Sequence, residues 1–110
     1  LYGLLVAESG NQLLGISLYY FRYSTWKGKR LYLEDLFISE NARGQGIGSK
    51  LFEATMKIAI NLNCNGMTWA VLNWNEPALK FYEKYKAVFD KEWTLTNLAK
   101  GQIEQNLRHF

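Results

Sequence analysis

The stretch LYLEDLFISENARGQGIGSKLFEATMKIAINL, Leu31–Leu62, decides the fold class of this 110-residue chain. Its first part, Leu31–Ile38, is apolar except for Glu34 and Asp35, which predicts a buried strand. Apolar residues then recur at helical spacing and predict a helix that begins at about Gly46. A glycine-rich loop joins the two elements. This order of elements indicates a fold in which helices pack on a sheet.

The segments before this stretch predict an antiparallel hairpin. Leu4–Glu8 and Leu13–Tyr23 are apolar or aromatic runs, and Ser9–Asn11 between them has turn chemistry. A second turn at Thr25–Lys29 leads into the strand that begins at Leu31.

The segments after the stretch continue the alternation of strands and helices. Met67–Trp74 is a near-continuous apolar run and predicts a strand. Asn75 is a good helix cap and Pro77 suits a first turn, so a second helix is expected there. Ala87–Trp93 and Thr94–Leu98 predict a last strand pair. We therefore expect one domain over residues 1–110, an α/β (α+β) mixed sheet with helices on both faces.

Composition excludes several classes of function. The net charge of +3 comes from scattered basic residues, which suits an anionic ligand but lacks the dense basic face typical of nucleic-acid binding. Cys64 is the only cysteine, so an internal disulfide is impossible and a reducing, cytoplasmic location is favoured. No apolar run approaches the roughly 20 residues of a membrane span. Cys64 and His109, the single histidine, form no metal-ligand pattern, so we expect no metal.

The loop Arg43–Ser49 predicts an anion site. Glycines at alternate positions let backbone N–H groups approach an anion, and the helix that follows adds unpaired donors and a positive dipole end. The spacing does not fit the Walker pattern, and Ser49 stands where a dinucleotide loop needs its third glycine. The remaining pattern is R-x-x-G-x-G, from Arg43 to Gly48. A glycine turn without a ligand is the alternative.

Three motifs together resemble the GNAT superfamily of N-acetyltransferases. They are YLED within the strand, RGQGIGS in the loop, and NWNEP followed by Phe81-Tyr82. They are most similar to diamine (spermidine/spermine) N1-acetyltransferases and their thialysine-acetylating relatives, from about Leu5 to Trp93. The resemblance implies the GNAT fold without its first strand and first two helices. It also implies acetyl-CoA as co-substrate, a small amine substrate and a homodimer.

The resemblance also implies roles for individual residues. Tyr82 matches the general acid of the family, and Glu34 matches its acidic substrate residue. The backbone of Leu36, Phe37 and Ile38 would bind the pantetheine and acetyl group. The remaining cofactor contacts would be Arg43, Gly44, Gln45, Gly46, Ile47, Gly48, Ser49, Asn75, Glu76, Pro77 and Ala78. The amine would lie near Trp26, Thr68, Trp69 and Ala70.

The chain departs from the family pattern near the end of the second helix. The family often has glycine at the position of Lys86, and its cofactor-contacting basic residue aligns with Tyr85. The missing first elements supply part of the polyamine site in the family, so the resemblance leaves the amine undefined.

The chemistry of amine acetylation needs a base and an acid. Making a primary amine neutral at pH 7 costs about 4.6 kcal/mol, and a nearby carboxylate can attract the cation and accept its proton. Neighbouring strand residues point to opposite faces, so we expect Glu34 in the site and Asp35 in a structural role. Tyr82 is expected to protonate the departing thiolate without large tuning of its pKa.

Three functions remain open at this point. The first is acetyl transfer to a small primary amine by direct attack, without a covalent enzyme intermediate. The second is acetylation of a protein or peptide on the same scaffold. The third is a non-catalytic module that binds acyl-CoA.

Overall fold

The computed structural model describes residues 2–25, 28–71, 75–90 and 95–109. Its sheet has six strands in the described part of the chain: β1 Tyr2–Ser9, β2 Gln12–Ser24, β3 Gly28–Ile38, β4 Gly66–Ala70, β5 Val88–Asp90 and β6 Leu95–Ala99. The helices there are α1 Ile47–Asn61, α2 Glu76–Glu83 and α3 Lys100–His109, and a short 3-10 turn covers Glu40–Ala42.

The strand order is β1-β2-β3-β4-β6-β5, with β3 and β4 parallel and the other pairs antiparallel. The predicted mixed sheet with packed helices is therefore confirmed. So are the hairpin, the last strand pair and α1, whose bounds match the prediction within one residue at each end. The predicted strand over Met67–Trp74 ends at Ala70, and its residues 72–74 lie outside the described residues.

The core forms where α1, α2 and α3 meet one face of the sheet. Leu31 and Leu33 point into it from β3, and Phe52 and Met56 meet them from α1 at helical spacing. Ile103 of α3 joins the same buried cluster. All three described helices thus share one face of the sheet. The prediction placed helices on both faces, and in the described ranges they lie on one face only.

A buried hydrogen-bond chain fixes α1 on β2. The Thr55 hydroxyl donates to the carbonyl of Leu51 at 2.7 Å, and Ser17 Oγ lies 2.7 Å from Thr55 Oγ1. Because the Thr55 proton is already used, Ser17 is the donor of this second bond. Both hydroxyls are fully buried and paired, which avoids the penalty of an unsatisfied polar group.

The opposite face of β1 is exposed. Tyr2, Leu4 and Val6 alternate with inward residues and keep 67%, 55% and 47% of their surface accessible. Tyr2 stacks on Tyr20 of β2, which in turn stacks on Tyr32 of β3. These three tyrosine rings therefore form a continuous aromatic surface on this face of the sheet.

The parallel strands β3 and β4 diverge, and this opens the sheet. Among the described residues they pair at only two positions, Leu31 with Met67 and Tyr32 with Thr68. β3 stays paired with β2 on its other side as far as Ile38. The edge of β3 beyond Tyr32 therefore faces a cleft between β3 and β4, where backbone groups can meet a ligand.

Candidate active site

The cleft between the diverging strands has a volume of about 300 Å³. It is closed on its third side by α2. Its lining residues are Leu33, Glu34, Asp35, Leu36, Trp69, Ala70, Val71, Asn75, Ala78 and Tyr82. Two carboxylates, a phenol and a row of backbone groups therefore share one concave space.

A β-bulge brings both carboxylates to this cleft. The register of β2 and β3 shifts between Leu18, which faces Asp35, and Tyr19, which faces Leu33. Glu34 is the extra residue, so strict alternation fails there. The strict alternation on which the expectation of opposite faces rests therefore does not hold at this point of β3. Both residues line the cleft and are exposed, and the charge of Asp35 acts on Tyr82 whereas that of Glu34 acts on Tyr32. The structural role expected for Asp35 gains no support.

Tyr82 lines the same cleft as the two carboxylates. Its ring packs against Trp69 and Phe52 at centroid distances of 4.9 and 5.4 Å. Burial, and secondarily the negative charge of Asp35, raise the pKa of Tyr82 to about 12. At neutral pH the phenol therefore keeps its proton and is a hydrogen-bond donor.

The raised pKa of Tyr82 bears on its expected role as an acid. A thiol has a pKa near 8.5, so proton transfer from a phenol of pKa about 12 to a free thiolate is uphill by about 5 kcal/mol. The expectation that no large tuning is needed is wrong. An ammonium ion held by Asp35 would offset the carboxylate charge and lower the pKa of Tyr82 again.

Trp69 forms the inner wall of the cleft and is 2% exposed. Its indole Nε1 is buried and has no hydrogen-bond partner in the described part of the chain. An unpaired buried donor costs roughly 1–3 kcal/mol, so an ordered water or an oxygen acceptor at this point would be stabilised.

The glycine loop forms a second cavity of about 270 Å³ at the start of α1, the loop cavity. Gly44 and Gly46 have φ values of 80° and 78°, a conformation that favours glycine. A Cβ at either position would meet nothing within 4 Å, so the space before the helix is open. Among the described residues no side chain caps α1, and its first turn has no acidic residue. These uncapped N–H groups suit an anion.

Positive charge borders the loop cavity on two sides. Arg43 lines it, and its Nε donates to the carbonyl of Ile38 at 3.2 Å, which holds the side chain at the base of the loop. Lys84, at the end of α2, donates through Nζ to Ser49 Oγ at 2.8 Å. The lysine was not predicted as a site residue, because its contact with Ser49 spans 35 positions.

Asn75 connects the cleft to the start of α2. Its Oδ1 accepts a hydrogen bond from the backbone N–H of Ala78 at 3.2 Å, so it is the predicted helix cap. Asn75 and Ala78 both line the cleft. Glu76 and Pro77, also predicted to contact the cofactor, line neither of the two cavities.

Most of the predicted site residues thus gather in two adjacent spaces. The cleft receives Glu34, Leu36, Trp69, Ala70, Asn75, Ala78 and Tyr82. The loop cavity receives Ile38, Arg43, Gly44, Gly46, Ile47, Gly48 and Ser49. The side chains that line neither space are Phe37, Gln45, Thr68, Glu76 and Pro77. Trp26 lies outside the described residues.

Two of the residues that line neither space form hydrogen bonds outside both cavities. Thr68 Oγ1 accepts a hydrogen bond from Arg30 Nε at 3.1 Å, and Gln45 Nε2 donates to the carbonyl of Asn41 at 3.4 Å. Phe37 is 45% exposed, although its backbone still belongs to the edge of β3.

Tyr85, at the position where the resemblance implies a basic cofactor contact, lines neither of the two spaces. Its side chain is fully buried, and its hydroxyl donates to Glu53 Oε2 at 2.9 Å. Burial is the main cause that raises the pKa of Tyr85 to about 12. The cation beside the loop comes instead from Lys84, one residue earlier.

Comparison with known proteins shows the family to which the chain belongs. Residues 2–86 match the model of the acetyltransferase (GNAT) family. This chain belongs to the GNAT family. It is 45% identical over 74 residues to thialysine N-epsilon-acetyltransferase of Bos taurus, a match that covers 67% of this chain and 44% of the relative. The chain therefore spans less than half the length of this relative.

Two further proteins are similar to this GNAT chain, one in sequence and one in structure. Spermidine/spermine N(1)-acetyltransferase-like protein 1 of Homo sapiens is 39% identical over 74 residues, which are 67% of this chain and 11% of the relative. An integron cassette protein from the mobile metagenome of V. cholerae superposes with a TM-score of 0.74 at 33% identity. That match covers 81% of this chain and 56% of the other.

The described part of the chain contains no group of three or more His, Cys, Asp or Glu residues that could hold a metal ion. Within the same ranges, every helix is too short or too polar to span a membrane.

Proposed function

We propose that this GNAT chain transfers an acetyl group from acetyl-CoA to a primary amine of a small molecule. The observation that carries the proposal is the cleft beyond Tyr32, whose lining includes Glu34, Asp35 and Tyr82. It lies next to an uncapped helix start suited to a pyrophosphate. The names of the thialysine and spermidine/spermine relatives support a small amine as acceptor.

Different groups of residues would bind different parts of acetyl-CoA. The N–H groups that begin α1, with Arg43 and Lys84 beside them, would hold the pyrophosphate. The free edge of β3 at Leu36–Ile38 would bind the pantetheine arm by backbone hydrogen bonds. When bound, acetyl-CoA supplies an activated acetyl thioester.

The carboxylates act on the incoming amine. Glu34 and Asp35 attract the ammonium, and we assign to Glu34 the removal of its proton, directly or through a water. The neutral nitrogen then attacks the acetyl carbon, so that an N–C bond forms as the C–S bond breaks. Overall the amine nitrogen loses two protons. One is balanced by the proton that the thiolate gains, and the other leaves to solvent.

Tyr82 acts on the sulfur that leaves the acetyl group. Its pKa of about 12 keeps the phenol protonated, and we assign to it the donation of that proton to the departing sulfur. Donation coupled to C–S cleavage avoids transfer to a free thiolate. A cation near Asp35 favours it further by lowering the pKa of Tyr82.

Thiol release from acetyl-CoA tests the proposal. The amine panel should include thialysine, lysine, spermidine and a lysine-containing peptide. We expect turnover with at least one small amine, and much less in Tyr82→Phe. The exposed tyrosine Tyr23, which is 77% accessible, gives the matched control Tyr23→Phe, which should retain wild-type turnover. CoA binding without turnover of any amine would contradict the proposal, and turnover of the peptide alone would favour acetylation of proteins.

We also propose a homodimer and a cytoplasmic location. The exposed apolar side chains of β1 support an additional contact surface, and the fully buried thiol of Cys64 is compatible with a reducing compartment. Analytical ultracentrifugation tests the first proposal, and a monomer at every concentration would contradict it. Fractionation of cells tests the second.

A further inference from the structure

Arg22 holds a positive charge on the open face of the sheet, the face that carries the stacked rings of Tyr2, Tyr20 and Tyr32. Its Cζ lies 4.1 Å from the ring centroid of Tyr32 and 5.3 Å from that of Tyr20. Its Nη2 also donates to the hydroxyl of Tyr20 at 2.6 Å. These contacts position the guanidinium although the residue is exposed. Because this hydrogen bond uses one of five N–H groups, the guanidinium keeps donors for an anion.

Tyr32 places this guanidinium at the rim of the cleft. Among the described residues, Tyr32 and Thr68 form the last pair before β3 and β4 diverge. Glu34, two residues further along β3, lines the cleft. Burial raises the pKa of Tyr32, the charge of Arg22 opposes this rise, and the charge of Glu34 adds to it. The cation and the carboxylate therefore both lie near the same phenol.

The separation of the two charges matches the length of a lysine-type amine. Arg22 lies over Tyr32, and the two positions from Tyr32 to Glu34 advance about 6–7 Å along the strand. In extended lysine the carboxyl carbon and the distal nitrogen are about 7 Å apart, from the bond lengths of a saturated chain. A lysine with its distal nitrogen at Glu34 would therefore reach Arg22 with its carboxylate.

The open face leaves this approach to the acceptor. Leu31 and Leu33 point into the core beneath the helices, so Tyr32 between them points to the other face. The loop cavity lies at the start of α1, on the side of the helices. Acetyl-CoA bound there and an amine lying along Arg22 would thus approach the reacting centre from opposite faces of the sheet.

The pairing of two arginines gives an independent indication of an anion on this face. Arg22 stands directly opposite Arg30 in the register of β2 and β3. Like charges at directly opposite positions destabilise a sheet. Arg30 turns towards β4, where it donates to Thr68 Oγ1 and to the carbonyl of Met67, each at 3.1 Å. A carboxylate at Arg22 would offset the remaining repulsion between the two guanidinium groups.

We propose that Arg22 is a specificity-determining residue that binds a carboxylate of the acceptor while the reacting amine lies at Glu34. The substrate class is then a small amine with an anionic group about 7 Å from the reacting nitrogen, as in lysine. Polyamines carry a second cation instead, which Arg22 repels. This inference rests on the proposed function, since it assumes that Glu34 receives the amine, and it deepens that function by defining the acceptor.

L-Lysine and cadaverine test this selectivity, because they differ only in the α-carboxylate. Amide chemical shifts of the protein saturated with CoA report the affinity for each amine without requiring turnover. We expect wild type to bind lysine about fivefold more tightly, the upper end for an exposed ion pair. Arg22→Gln should weaken lysine binding and strengthen cadaverine binding, so that the preference is lost or reversed. Arg22→Lys should keep part of the preference, since it keeps the charge without the planar fork.

Two comparisons control for structural effects. Arg108→Gln, at an exposed position in the last turn of α3, is the matched variant and should keep the wild-type preference. L-Lysinamide, which lacks the negative charge, should bind wild type no more tightly than cadaverine, and this comparison needs no substitution. Far-ultraviolet circular dichroism shows whether a lost preference in Arg22→Gln reflects an unfolded protein.

The outcomes separate this inference from the proposed function. Equal affinity of wild type for lysine, lysinamide and cadaverine would overturn this inference alone, as would a preference that Arg22→Gln leaves unchanged. Binding of neither lysine nor cadaverine would also overturn it, while thiol release with another small amine would leave the proposed function standing. Unchanged spectra with CoA itself would overturn both.

Discussion

The substitution Gly46→Ala tests whether the loop before α1 holds the pyrophosphate. Gly46 has a φ of 78°, which costs an alanine about 1–2 kcal/mol. An added Cβ would meet no atom within 4 Å, so steric overlap within the protein adds nothing to this cost. The Cβ would instead occupy open space before the uncapped N–H groups. We expect a Tm lower by about 4–16 °C, since each 1 kcal/mol lowers the Tm of a domain of this size by about 4–8 °C.

The effect of Gly46→Ala on CoA binding should exceed its effect on stability. Loss of one charge-assisted contact to the pyrophosphate is worth roughly 1.5–3 kcal/mol, a decrease in affinity of about 10- to 100-fold. Gly10→Ala is the matched control, because Gly10 has a φ of 60° and equally open surroundings but lies in the β1–β2 turn. It should lose similar stability and keep its CoA affinity. Equal CoA affinities for the two variants, measured by calorimetry, would refute the assignment of the loop.

Three further predictions concern the cleft and the end of α2. Tyr82→Phe should lower turnover more than CoA affinity; an unchanged turnover number would remove Tyr82 from the chemistry. Because the folded pKa of Tyr82 is raised to about 12 against about 10 unfolded, its stabilisation is present below pH 10 and is lost as the pH rises towards 12. Urea unfolding should show this loss, up to about 3 kcal/mol, in wild type and a smaller one in Tyr82→Phe. Asp35→Asn should lower the pKa of Tyr82, measured by ring-carbon NMR, and raise the KM for the amine; no change in either would show that Asp35 does not act on the site. Lys86 has a φ of 60°, in the left-handed region that favours glycine, so Lys86→Gly should stabilise the protein by about 1 kcal/mol in urea unfolding; a destabilised variant would contradict strain at this residue.

The loop and α1 could be predicted from sequence because their signals are local. The glycines of Arg43–Ser49 and the helical period after them lie within a few residues of the structure they produce. The cap at Asn75 is equally local, since its side chain binds the backbone of Ala78 three residues later. The motifs that resemble the GNAT family predict Glu34 and Tyr82 in one site, and both residues line the cleft.

The break in alternation at Glu34 could not be predicted from the sequence of β3 alone. The bulge depends on how β3 pairs with β2 at Leu18 and Tyr19, which are distant in sequence. The pKa of Tyr82 depends likewise on burial and on Asp35, and both arise only when α2 packs over the diverging strands.

The identity of the cation beside the loop, Lys84, also could not be predicted from the sequence. The resemblance to the family implies the basic contact at position 85, but Tyr85 is buried against Glu53. Lys84 takes the place beside Ser49 because it lies on the side of α2 that faces the loop. One residue along a helix turns the side chain by about 100°, so a shift of one position changes which surface it reaches.

Backbone amide chemical shifts during a titration with CoA test the central claim most directly. The account predicts saturable changes that are largest at Gly44–Ser49 and at Leu36–Ile38, with smaller changes along the exposed face of β1. Saturable binding with its largest changes outside these two segments would contradict the account, as would unchanged spectra at millimolar CoA.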